Sequence, residues 1–229
     1  MESPQYKSWI KHSSLVIVIL CIWQIGAYLL RNYALNNGYK ILATTEKNIQ
    51  IQENGISHLS VLKKLDKLKI LNLYREINNQ KEKHKLSFLT FYPYHFTSSA
   101  LLLIISSISV ILIFITAQKG INNINEYGKT IFFTFASLAS FYALSPLVFK
   151  VEANSSSNLK KYILYDNLLN EIYNYAITYP ENTPDGETIT VNQFHNSVIQ
   201  QINTINNIDA EFDYKIIPTP NYGLSGEKK

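Results

Sequence analysis

Between Thr97 and Phe149 the chain carries two apolar runs of about membrane-spanning length, and only Lys119, Glu126 and Lys129 are charged anywhere in that stretch. A spanning helix takes roughly 20 predominantly apolar residues, because in hydrocarbon each backbone N–H and C=O must be satisfied inside the segment. Residues 98–117 and 130–149 meet that condition. The turn between them, 118–129, holds Gly120 and Gly128. The pattern predicts a transmembrane helical hairpin.

A shorter apolar run lies nearer the N-terminus. Leu15–Leu30, extended by Ser13 and Ser14, contains no charge and reaches the lower limit of a span. Trp9 and Tyr33 flank it, where an amphipathic ring suits a membrane interface. A secretory leader is the competing reading, since Lys7 and Lys11 precede a short apolar core. Ile25, however, occupies the position three residues before a cut after Ala27, where a small residue is required, so a retained anchor is expected. The mean hydropathy of −0.04 conceals all three runs by averaging them with Asn-, Gln- and Lys-rich segments.

The expected fold class is therefore all-α: an integral membrane protein with three transmembrane helices, one N-terminal span plus a helical hairpin, and amphipathic cytoplasmic helices. A tail (1–12) precedes the first span (13–30). A basic amphipathic segment (31–97) leads to the hairpin, and a C-terminal helical hairpin (150–208) ends in a tail (209–229). Asn36-Asn37-Gly38 and Asn54-Gly55 read as breaks, since Asn and Gly tolerate positive φ. Ile49-Gln50-Ile51 alternates like a short strand. After the second break Leu59, Leu62, Leu65, Leu68, Leu73 and Ile77 recur at helical steps, predicting a helix of about 25 residues from near Ser57 or Ser60. Gln80–Lys85 reads as its solvated end. Phe88–Phe96 places six aromatic rings around Pro93, which predicts an interfacial corner where the proline stops the incoming helix.

Beyond the third span, Val151–Ser157 reads as a polar break. A helix is expected from Asn158 to about Thr178, with Leu159, Ile163, Leu168, Leu169, Ile172 and Ala176 on its apolar stripe. Pro180–Gly186 then forms a loop. Thr190 and Gln193 have capping-box spacing and open a second helix, whose seam is Val191, Phe194, Val198, Ile202 and Ile205.

Charge sets the expected orientation. Residues 31–97 hold eleven Lys/Arg against five Asp/Glu, whereas from Val151 onward five Lys face ten Asp/Glu. Arg31, Lys40, Lys81, Lys83, Lys85, Lys150, Lys160 and Lys161 lie on one side of the three spans, against Lys7, Lys11, Lys119 and Lys129 on the other. The positive-inside bias thus predicts a cytoplasmic C-terminus, in a bacterial inner (plasma) membrane.

Little in the sequence suggests catalysis. The five histidines have no partners at metal-ligand spacing, Cys21 is the single cysteine, and no phosphate-binding or nucleophile motif is present. The expectation is a non-enzyme with no metal and no cofactor. The basic run at Gln80–Lys85 lacks the interleaved aromatics of a nucleic-acid surface, so no nucleic acid is expected as a partner.

What the spans do offer is small residues. Ser106, Ser109, Ala136, Ala139, Ser140 and Ala143 permit close helix approach, the usual means of packing in hydrocarbon. The bilayer is one expected partner, with self-association or a membrane complex as the other. The Val191, Phe194, Val198, Ile202 and Ile205 stripe is a candidate partner-binding face, and Lys63, Lys64, Lys67 and Lys69 are candidate contacts to an anionic membrane surface. The expected function is thus a three-span anchor holding amphipathic helices for self-association or assembly with partner subunits. The alternative is an oligomeric, channel-like effector with hydroxyl-lined spans. No ionisable residue lies within a span, which weighs against an ion-coupled transporter.

Overall fold

A computed structural model describes residues 4–43, 55–56, 64–178 and 189–208, and nearly all of them are helical. Among these residues five long α-helices follow one another: α1 (Pro4–Ala43), α2 (Lys64–Lys119), α3 (Glu126–Val148), α4 (Val151–Thr178) and α5 (Val191–Asn206). α1, α2 and α3 are long and apolar enough to cross a membrane. Ile49–Ile51, Lys63, Pro180–Gly186, the start of the predicted helix near Ser57 or Ser60 and the tail from Asp209 lie outside the described residues.

Residue pairs between neighbouring helices give their directions. His12 meets Thr130 and Trp23 meets Tyr142, so α1 and α3 run the same way. Tyr94 reaches Ser145, and Lys81 reaches Asp166, so α2 runs antiparallel to both α3 and α4. Glu171 meets Gln201, which turns α5 back along α4. The chain therefore forms an apolar three-helix layer and, beyond it, a second bundle made of the first half of α2, α4, α5 and the last turns of α1.

Two breaks expected inside what are continuous long helices are absent. α1 continues through Asn36-Asn37-Gly38. A Cβ on Gly38 would lie 3.1 Å from Leu89 and 3.3 Å from the Tyr92 ring, so this glycine serves close approach of α1 to α2 and not a turn. α2 likewise runs through Phe88–Phe96 with Pro93 inside it. An interior proline costs a helix about 3 kcal/mol or more through a lost hydrogen bond and a ring clash. Here Pro93 is buried, and Phe88 and Leu89 form one buried cluster with Leu42 of α1 and Tyr162 of α4, against which Tyr92 packs, so tertiary burial on two sides offsets it. At 1.5 Å per residue, the 56 residues of α2 make a rod about 84 Å long, joining the apolar layer to the distal bundle.

The turns at the other end follow local rules. Gly120, at φ 75°, sits past the end of α2 and donates its N–H to Thr116 O. The Asn125 side chain accepts from Gly128 N and caps α3. On the opposite side of the layer, Val151–Ser157 is helical rather than a polar break. Only Phe149 and Lys150 separate α3 from α4, with Lys150 at φ 46°. The Asn154 amide donates to the Phe149 and Lys150 carbonyls, which explains why a polar run can sit inside a helix there.

The distal core is a seam with coiled-coil spacing. Ile70, Tyr74, Ile77, Lys81, His84 and Phe88 of α2 are buried at alternating steps of four and three. Ser155, Asn158, Tyr162, Tyr165, Leu169, Ile172 and Ala176 do the same on α4. That repeat keeps one face of each helix against the other. Leu65 and Leu68, expected on the packed stripe of α2, are 67% and 47% exposed, and Ile163 and Ile177 of α4 also face outward. The capping box at Thr190 and Gln193 is formed.

Candidate functional site

In the middle of this seam the apolar pattern gives way to polar side chains. Lys81 has no exposed surface, and its Nζ lies 2.5 Å from Asp166 Oδ1 and 5.2 Å from the centre of the Tyr162 ring. One turn along α2, His84 is buried between α4 residues, with its ring stacked on Tyr165 at 5.6 Å. His84 Nδ1 lies 2.8 Å from Asn158 Oδ1, and the Asn158 amide nitrogen donates to Asn154 O. With its N–H group used in that way, Asn158 offers its oxygen as an acceptor, which assigns the His84 proton to Nδ1.

Other helices are tied into the same layer. Tyr165 donates to Asn206 Oδ1 at 2.7 Å, and Lys161 Nζ donates to the Asn206 carbonyl at 3.2 Å. A cation at the last carbonyls of α5 is favoured by the helix dipole. The Tyr162 hydroxyl lies 3.5 Å from Leu42 O, in the last turn of α1. One polar layer thus touches α1, α2, α4 and α5.

Burial decides the electrostatics of this layer. The His84 pKa is lowered first by desolvation, which disfavours imidazolium. The Asn158 hydrogen bond opposes that shift, and the charges of Lys161 and Lys83 add to it. His84 is therefore held as a neutral donor, while Lys81 has its carboxylate partner within contact. These side chains are enclosed between α2 and α4 and bonded to one another across the helices.

Gln80–Lys85, expected to be a solvated helix end, thus supplies two core residues, Lys81 and His84. No local signal separates them from the half-exposed or exposed Glu82, Lys83 and Lys85. The heptad phase running through Ile70, Tyr74 and Ile77 is the signal that would have found them.

The residues singled out in the sequence fall in three places. Val191, Phe194, Val198 and Ile205 are buried, and Ile202 half-buried, against α2 and α4 of the same chain, so this stripe closes the protein's own core and is already covered. Lys64 is exposed, Lys67 is half-buried, and Lys69 donates to Asn192 Oδ1 at the start of α5. In the spans, Ser106, Ser140 and Ala143 are exposed, Ala136 and Ala139 are half-buried, and the Ser109 hydroxyl is buried with no hydrogen-bond partner among the described residues. Ser140 donates to Ala136 O, and Ser107, Thr116 and Thr134 bond back one turn in the same way.

The chain matches no protein-family profile, no curated protein and no solved structure.

Proposed function

We propose that the protein is a non-enzymatic membrane-anchored assembly protein, whose three-span layer associates with further copies or with partner helices. The observation that carries this reading is a contrast within one chain. In the apolar windows of α1, α2 and α3, 0%, 11% and 6% of residues are buried, whereas the distal bundle has a continuous core. Few residues of the three spans are fully buried against one another, and their exposed faces include Ser106, Ser140 and Ala143, small enough for close helix approach. The rod-like α2 links any arrangement adopted in the membrane to the distal bundle. By the positive-inside bias this bundle and the C-terminus lie in the cytoplasm, at a bacterial inner membrane.

Gentle detergent extraction of the full chain, followed by mass measurement of the complex, tests the proposal. Assemblies larger than one chain are expected, and a monodisperse monomer with nothing bound would refute it. Ion flux from liposomes holding the pure protein would instead favour the pore. Labelling of an Asn122→Cys variant, placed in the turn between α2 and α3, should occur from the periplasmic side.

A further inference from the structure

Beside the Phe149–Lys150 corner, a cavity of about 490 Å³ opens to one side between the second half of α2 and the α3–α4 junction. Its wall changes character along its length. Pro146 and Leu147, from the last turns of the third span, form the apolar end, while Lys150, Glu152 and Ser156 form the polar end and His95 lines it from α2. The depth of this cavity follows from the chain: His95 lies just before the second apolar run and Lys150 just after the third, so the site straddles a membrane interface. Tyr94 and Phe149, in edge contact at 6.5 Å, mark the same level.

The charges there are of both signs. Lys150 is held in a left-handed conformation, and Glu152 follows two residues later on the first turn of α4. His95 has a buried Nδ1 with no hydrogen-bond partner among the described residues, an unmatched polar atom beside a polar pocket. An occupant that suits a cation and an anion at an interface, with an apolar wall leading toward hydrocarbon, is itself zwitterionic and carries an acyl chain.

We propose that this cavity binds a phospholipid with a primary-amine headgroup, of the phosphoethanolamine kind. Its phosphate lies at Lys150, its ammonium at Glu152, and an acyl chain runs along Pro146 and Leu147. A choline headgroup fits less well, because quaternary ammonium recognition relies on Trp, Tyr or Phe faces and no residue of those types lines this cavity. A glycerol headgroup leaves Glu152 facing net negative charge with no ammonium to neutralise it.

The test is native mass spectrometry of the full-length protein, released from nanodiscs that contain equal parts of phosphatidylethanolamine, phosphatidylglycerol and phosphatidylcholine. Wild-type protein should retain phosphatidylethanolamine over either competitor by about two- to fivefold, the range an exposed ion pair provides. Glu152→Gln should remove the preference over phosphatidylglycerol, and Lys150→Gln should lower retention of all three lipids. Unchanged helical circular dichroism establishes that both variants fold, since both side chains are exposed. Equal retention of the three headgroups by wild type overturns the proposal, and so does an unchanged preference in Glu152→Gln.

Discussion

Lys81 and Asp166 stand 85 positions apart, yet each accounts for the other's place in the seam. Removing one partner of a buried ion pair leaves an uncompensated charge and typically costs 3–5 kcal/mol, about what Lys81→Ala or Asp166→Ala should lose in thermal or denaturant unfolding. The double change Lys81→Met with Asp166→Leu should recover most of that stability, since a packed apolar pair needs no desolvation. His84 adds a pH dependence of known sign. Its folded pKa lies below the ordinary 6.5, so between the folded value and 6.5 the unfolded chain binds the proton and the folded chain does not. Stability should be full above pH 6.5 and fall as the pH drops below it. His84→Gln should flatten that slope in melting curves taken across this range. At this scale the sequence was least legible: Lys81 and His84 look like Lys83 and Lys85 until the phase of the seam is known.

At the scale of elements, local hydrogen-bonding rules account for one turn and one helix start. Gly120 and Asn125 close the turn between α2 and α3, and the Thr190 capping box opens α5. Thr190→Ala should cost about 1 kcal/mol of stability, visible as a lower melting temperature. The same rules failed at Gly38 and Pro93, because each residue type has two uses and only the neighbouring helix selects between them. Gly38 suggests backbone freedom in the sequence but serves by having no side chain against Leu89 and Tyr92. Gly38→Ile should therefore destabilise the α1–α2 contact by about 1–3 kcal/mol, as overpacking does, and lower the melting temperature accordingly. Pro93 announces the end of a helix in isolation, yet α2 passes through it, flanked by helices that bury it.

For the whole molecule, the division between a thinly packed apolar layer and a closed distal core makes a prediction about contacts between copies. In a Cys21→Ser background, Ala143→Cys should give oxidant-induced dimers in membranes, while Val198→Cys, sealed inside the chain's own core, should give none. Cross-linking at both positions or at neither would contradict the assembly reading. The sequence by itself determined the three apolar helices, because hydrophobic length and freedom from charge are properties of a contiguous stretch that no neighbour can supply. It also determined the turn between α2 and α3, whose hydrogen bonds close over a few residues. Only the tertiary structure decided the continuity of α1 and α2 and the polar layer of Lys81, His84, Asn158 and Asp166. Burying a charge or crossing a proline is unfavourable locally, and it becomes tolerable only through partners that the fold brings from distant parts of the chain.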